Sequence, residues 1–197
     1  MAKNGDTAER ILDVAEELVQ VRGFNAFSYA DVAAELGITK AALHYHYPGK
    51  AELGQALIGR YADRFAAALA EIESRDVAAA AELGAYVDLY VQVLRARRMC
   101  LCGMLAAEYQ TQPEDIRNAI VAFFNDNEAW LARVLERGRR DGSLRFDGSP
   151  ADMAGMIIGG LEGAMLVARP YGDLEHFERT AGTLLATLTR PAQRGRS

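Results

Sequence analysis

Apolar residues return every third or fourth position through nearly the whole chain, and no segment shows the strict alternation of a half-buried strand. That period excludes a β fold and predicts an all-α protein of about nine helices. The first, over 7–22, carries Ile11, Leu12, Ala15, Leu18 and Val19 on one face and Glu9, Arg10, Asp13, Glu16 and Glu17 on the other, and Gly23 ends it. After Pro48, a stripe of Leu53, Leu57, Tyr61, Phe65, Leu69 and Ile72 defines a long helix, and the polar, then Ala-rich stretch Glu73–Ala81 breaks it. Leu83, Tyr86, Val87, Tyr90, Val91 and Leu94 mark the next helix, followed by a short apolar one around Met99–Tyr109. Pro113 opens a long helix through Ile116, Ile120, Phe123, Phe124, Trp130, Leu131, Val134 and Leu135. Asp141-Gly142-Ser143 and Asp147-Gly148 are loop signals; Ser149 then caps a helix over 150–168 with Pro150 in its first turn. A last helix holds Leu174, Phe177, Leu184, Leu185 and Leu188, and the basic tail 190–197 reads as disordered.

One short segment departs from ordinary helical packing material. Ser28 is a suitable N-cap with Asp31 three residues on, and Phe27 is placed to staple against Val32. The helix so started, about 29–36, ends at Gly37, and Thr39 caps another, with Ile38 set to staple on Leu43. Two short helices across a tight glycine turn are the helix-turn-helix pattern. Ala33 is small where the helices would cross, and Leu43 faces their shared core, leaving Thr39, Lys40, Ala42, His44 and Tyr45 to point outward. From Leu36 to Ala51 there is no acidic residue, while Lys40, His44, His46 and Lys50 fall inside. The chain as a whole carries a formal charge of −5, which excludes a protein that coats nucleic acid through a broadly basic surface. It leaves room for this local patch, with the first side chains of the second helix on base edges and flanking groups on phosphates. Ala42 and the Thr39 methyl suit thymine methyls, and Lys40 suits guanine acceptors.

Residues 7–58 resemble the N-terminal domain of the TetR family of bacterial regulators. The likeness runs through Ile11-Leu12-Asp13-Val14-Ala15, Arg22-Gly23-Phe24, Ser28-Tyr29-Ala30-Asp31-Val32-Ala33 and Leu36-Gly37-Ile38-Thr39-Lys40, and closes with the stretch from Leu43 to Leu53. The resemblance implies a homodimer on a palindromic double-stranded operator, with a helical body that binds a small-molecule effector. It also implies that Thr39, Lys40 and Tyr45 face the groove and that Ser28, Tyr29, His46 and Lys50 contact phosphates. Ala41-Ala42 and His44 depart from the residues frequent in the family, which bears on operator sequence. The implied organisation is a DNA-binding domain over 1–50, a ligand-binding and dimerisation domain over 51–189, and the tail.

In the body, Gly155, Gly159 and Gly163 recur every four residues, with Gly160 beside them, although each glycine costs a helix roughly 1 kcal/mol relative to Ala. Such a stripe points to close helix approach. By the resemblance it forms a dimer interface with Leu161, Met165, Leu184, Leu185 and Leu188; packing within one subunit is the other reading. The large pocket candidates are Tyr86, Tyr90, Met99, Met104, Phe123, Phe124, Trp130 and Met156, each of which also suits plain core packing. Glu108, in Leu105-Ala106-Ala107-Glu108-Tyr109, either pairs or faces solvent, or anchors an effector. The segment Cys100–Glu108 and Pro113–Arg117 resembles a TetR subgroup that includes electrophile- and hypochlorite-responsive repressors. That makes Cys100 a candidate sensor with Arg95, Arg97 and Arg98 nearby to favour a thiolate; a small core cysteine is the alternative.

The remaining signals are exclusions. Cys100 and Cys102 lie two apart with His44, His46 and His176 elsewhere, so neither metal nor cofactor is expected. No nucleophile–base pair or phosphate-cradling loop marks an enzyme, and a helical interaction module without DNA binding is the remaining rival. No apolar run approaches the roughly 20 residues that span a bilayer, and the first residues lack the apolar core of a secretory signal. A cytoplasmic protein without membrane contact is expected.

Overall fold

The all-α architecture expected from the period is what the computed structural model shows over the residues it describes, 4–189. The expected tail over 190–197 lies outside them. The elements are α1 (Asn4–Arg22), α2 (Tyr29–Leu36), α3 (Lys40–His46), α4 (Lys50–Ser74), α5 (Ala79–Arg95), α6 (Leu101–Ala107), a 3₁₀ turn (Tyr109–Thr111), α7 (Glu114–Asp141), α8 (Pro150–Tyr171) and α9 (Leu174–Thr189). No strand occurs among the described residues.

The signals read along the chain have visible local causes. Gly23 follows α1 with φ +97°, and Gly37 closes α2 with φ +65°, a left-handed conformation that a residue with a Cβ adopts at a cost. Thr39 Oγ1 accepts the Ala42 N–H at 3.1 Å, and Ser149 Oγ accepts the Asp152 N–H at 3.0 Å, the side-chain caps of α3 and α8. The single helix expected around Met99–Tyr109 is instead two pieces. Glu108 leaves the helical region at φ −107°, and its carbonyl accepts from both Thr111 N–H (3.0 Å) and Thr111 Oγ1–H (2.8 Å), a local turn that replaces helix continuation.

Packing divides the described chain into two compact units. One holds the residues through Phe65 together with Arg97–Phe123; the other holds Ala66–Ala96 and the residues from Phe124 onward. The first unit is built around the buried face of α1 (Ile11, Leu12, Ala15 and Val19), with Val32, Ala33, Leu43, Leu53, Leu57, Leu101, Leu105 and Ile116 also buried. It adds an ionic seam between α1 and α4. Arg60 donates to Glu16 Oε2 at 2.9 Å, Asp13 Oδ1 at 2.7 Å and Glu9 Oε2 at 3.1 Å, and Arg64 donates to Glu16 Oε1 at 2.5 Å. Burial works against the Arg60 charge, but the bonds to Glu16 and Asp13 outweigh it and hold its pKa above the usual arginine value.

In the second unit α5 packs on α8 and α9, and α8 on α9. Tyr86 stacks on Trp130 and Tyr90 on Phe177, with ring centroids 5.7 and 6.3 Å apart. Contrary to the expectation that no apolar run approaches membrane length, α8 is long and apolar enough by composition, with a mean hydropathy of 1.4 over its best window. Its face of Ala154, Ile157, Ile158, Leu161, Ala164, Met165 and Ala168 is buried within the protein, as the central helix of a helical body requires.

The Glu82 carboxylate, also in this unit, is 4% exposed and hydrogen-bonded by Arg137, which is also 3.6 Å from Glu73. Removing Arg137 strands a buried charge. Arg137→Ala should therefore lower unfolding free energy by about 2 kcal/mol in urea titration, below the roughly 3–5 of a fully buried pair because Arg137 is itself partly exposed.

Candidate nucleic-acid interface

Helices α2 and α3 have eight and seven residues, too short to persist alone, so their surface is positioned by what they pack on. Leu43 is fully buried and Val32 and Ala33 lie beneath it in the same core, while the Ile38 N–H donates to the Ala33 carbonyl at 3.0 Å across the turn. The outward side of α3 then carries Lys40, Ala41, His44 and Tyr45, the last 73% exposed. Thr39 is exposed at the head of the helix with its oxygen engaged as the cap.

Two members of the expected outward face differ. Ala42 is half-buried and Ala41 takes its place beside Tyr45, four residues on; the i, i+4 spacing from Tyr45 was the available signal. His44 is exposed, but its Nδ1–H donates to the Pro48 carbonyl at 3.0 Å and its ring lies 4.7 Å from that of Tyr29, leaving Nε2 as the outward group. His46 is half-buried with its ring edge-on to Tyr45.

Of the four expected phosphate contacts, Ser28 is exposed, though its hydroxyl donates to Asp31 Oδ2 at 2.6 Å. The Ser28 N–H donates to the same oxygen at 2.7 Å, and these bonds hold the Asp31 pKa below its usual value, the side-chain bond most. Tyr29 and Lys50 are turned inward. Tyr29 Oη–H is shared between the carbonyls of Tyr47 (2.9 Å) and Gly49 (2.6 Å), joining α2 to the turn between α3 and α4. Lys50 Nζ donates to the Phe27 carbonyl at 2.6 Å and sits over the rings of Phe24 and Phe27, 4.8 and 4.3 Å from their centroids. Burial lowers the Lys50 pKa, opposed by the charges of Glu108 and Asp31. Both residues tie the head together. A basic group that composition gave no reason to single out is Arg22, exposed at the end of α1 and close enough to Asp31 to act on its charge.

The expected pocket residues are divided between the two units. In the first unit Cys100 is buried at the start of α6, where its sulfur accepts from Gly103 N–H (3.4 Å) and Tyr61 Oη–H (3.8 Å), and Phe123 packs on Tyr61 and Phe65. Met99 is buried, its N–H donating to the Gln20 carbonyl at 3.2 Å, and Met104 is half-buried. Glu108 pairs with the loop after α1, accepting the Asn25 N–H at 3.0 Å. In the second unit Tyr86, Tyr90 and Trp130 share a cluster, with Tyr86 Oη–H donating to Asn127 Oδ1 at 3.2 Å and Tyr90 Oη–H to Glu162 Oε1 at 3.3 Å; Phe124 is half-buried. Met156 is instead 50% exposed, so it joins the outer face of α8. Of the arginines expected near Cys100, Arg98 is engaged by Glu17, and Arg95 lies 3.8 Å from Glu178.

The expected dimer residues split in the same way. Leu161 and Met165 are fully buried, because positions two from the glycines turn to the protein interior, and Leu188 on α9 is nearly so. Leu184 and Leu185 are half-buried, and Leu184 lies 3.0 Å from where a Cβ on Gly160 would stand. Among the described residues, nothing beyond its own stretch of helix lies within 4 Å of such a Cβ on Gly159 or Gly163, and the one on Gly155 meets Glu128.

Short capped helices on a three-helix head, joined to a helical body, define a helix-turn-helix transcriptional regulator. A profile described as "Bacterial regulatory proteins, tetR family" matches residues 11–57, and one described as "Tetracyclin repressor-like, C-terminal domain" matches 79–184. A TetR-family regulator from Agrobacterium tumefaciens superposes with a TM-score of 0.92 at 32% identity, over 95% of this chain and all of that one. One from Legionella pneumophila gives 0.84 at 36% identity, covering 92% and 97%. The repressor NemR of Escherichia coli is 26% identical over 95% of this chain and 96% of its own, and its reduced form has been solved as a crystal structure. The chain belongs to the TetR family of DNA-binding transcriptional regulators.

Tyr29 offers a test of the head's construction. Burial, and after it the Glu52 charge, raises its pKa to about 12 from an ordinary 10.0. The unfolded chain therefore loses the Tyr29 proton before the folded one does. Tyr29→Phe should lower stability by about 1 kcal/mol at neutral pH. In thermal melts across pH, the wild-type advantage should persist below pH 10 and disappear between pH 10 and about 12.

Proposed function

We propose that the protein is a homodimeric repressor that binds a palindromic operator and releases it when a small effector occupies the body. The outward face of Lys40, Ala41, His44 and Tyr45, in a stretch without acidic residues from Leu36 to Ala51, carries this reading. In a major groove Tyr45 and Ala41 would meet thymine methyls and Lys40 guanine acceptors, with Ser28 and Arg22 on phosphates. Residues 1–50 would read DNA and 51–189 would bind effector and partner, the protein acting in the cytoplasm. A gel shift with DNA flanking its own gene tests this. Wild type should shift it, Lys40→Ala and Tyr45→Ala should each weaken binding by about 10- to 100-fold, and no wild-type shift at low salt would refute it.

Dimerisation is supported by the outer face of α8. Met156, Leu166 and Val167 are 50, 61 and 52% exposed beside Gly159 and Gly163, which offer a partner helix close backbone approach. The space around Gly163 is open within one chain, so Gly163→Arg should leave the monomer folded by circular dichroism and shift sedimentation towards monomer.

A second reading, that Cys100 senses electrophiles, is supported by the two hydrogen bonds its sulfur accepts, from Gly103 N–H and Tyr61 Oη–H. Cys100 is only 3% exposed, so modification would require local opening. If N-ethylmaleimide releases DNA from wild type and from Cys100→Ser alike, Cys100 is not the sensor.

A further inference from the structure

The loop between α1 and α2 is held by residues that flank α6 and by the 3₁₀ turn. The Asn25 N–H donates to Glu108 Oε2 at 3.0 Å, and Asn25 Nδ2 donates to Thr111 Oγ1 at 2.7 Å. Glu108 Oε1 lies 2.7 Å from where a Cβ on Gly23 would stand, so the carboxylate rests directly against the loop backbone. At the other end of the same segment, Met99 N–H donates to the Gln20 carbonyl at 3.2 Å. Three residues after Asn25, Ser28 begins α2, and Lys50 Nζ bonds the intervening Phe27 carbonyl at 2.6 Å. The loop therefore has few ways to move without moving the start of α2, and α2 carries α3 with it through the Gly37 turn.

We propose that Glu108 is a positioning residue for DNA binding, its carboxylate holding the α1–α2 loop so that the α2–α3 pair meets DNA in the productive orientation. Glu108 would act on α3 through the loop. The role rests on the DNA-binding reading above.

Charge and position predict opposite signs, which makes the role testable. Glu108 is an acid on the unit that meets a polyanion, so its charge alone weakens binding, and any neutral substitution should raise affinity. Glu108→Ala and Glu108→Gln remove the same charge, but only Gln keeps a side-chain oxygen for the Asn25 N–H. Fluorescence anisotropy with the duplex from the gel-shift assay should show Glu108→Gln binding at least as well as wild type. Glu108→Ala should bind about fivefold more weakly than Glu108→Gln, with the same dependence of log K on log[salt], because no phosphate contact is lost. Equal affinities for the two variants would overturn the proposal.

Amide hydrogen exchange on the DNA-free proteins reads the clasp itself: residues 23–27 should exchange faster in Glu108→Ala than in Glu108→Gln or wild type. Equal exchange in all three would remove the clasp whatever the DNA result. Failure of wild type to bind any duplex, with exchange behaving as described, would refute the DNA-binding reading and this role while leaving the contact intact. Should Glu108→Ala not fold, the near-isosteric Thr111→Val removes the acceptor of Asn25 Nδ2, and wild-type affinity in that variant would also count against the proposal.

Discussion

A helix of seven residues does not hold itself together in water, and the face proposed to read DNA lies on one. What makes α3 usable is its attachment to the rest of the first unit. Leu43 anchors its inner side, Thr39 caps its start, and the Tyr29 hydroxyl and His44 Nδ1 tie α2 and α3 to the turn that leads into α4. Lys50, at the first position of α4, reaches back to the Phe27 carbonyl at the approach to α2. The head is thus fixed by polar bonds between backbone carbonyls and a few long side chains, over a small apolar centre. Such bonds have directional geometry, so they set orientation more sharply than apolar contact of the same strength.

The same logic extends along α1. One arginine, Arg60, gathers Glu9, Asp13 and Glu16, residues spaced three and four apart on one face of α1, while Arg64 takes the other oxygen of Glu16. Exposed pairs of this kind add little stability singly. Here Glu16 is 8% exposed and both of its oxygens are engaged, so the seam fixes the register of α4 against α1 more than it adds binding energy. The face of acids noted on the first helix is therefore not a solvated surface throughout.

That example shows where the sequence is legible and where it stops. Periodicity and caps locate the helices because they are local: Gly23, Gly37, Thr39 and Ser149 act within one turn of their own position. The helix-turn-helix pair is legible for the same reason. What periodicity cannot supply is the partner of a polar side chain, since that depends on residues far away in sequence. Lys50 and Tyr29 have the chemistry of phosphate contacts, yet the Tyr29 hydroxyl proton and one of the three Lys50 donors are taken by carbonyls 18 to 23 residues away. Glu108 has the chemistry of a buried effector anchor, and its partner stands 83 positions earlier. Ala41 and Ala42 differ by 100° around the helix, and composition alone does not choose between them; the spacing to Tyr45 does.

The body poses the same problem in apolar form. Leu161 and Met165 share a helix with Gly159 and Gly163, and grouping them by sequence merges two faces that the structure separates. The glycines sit on the outer side with Met156, Leu166 and Val167, while the larger side chains turn inward. A helix interior made of glycine is costly, and among the described residues no neighbour approaches Gly159 or Gly163 closely enough to require it. The homodimer proposed above would meet such a requirement, because two backbones approaching closely need the absence of Cβ atoms on both. The exposed methionine, leucine and valine beside the glycines would supply the apolar area that drives such an approach.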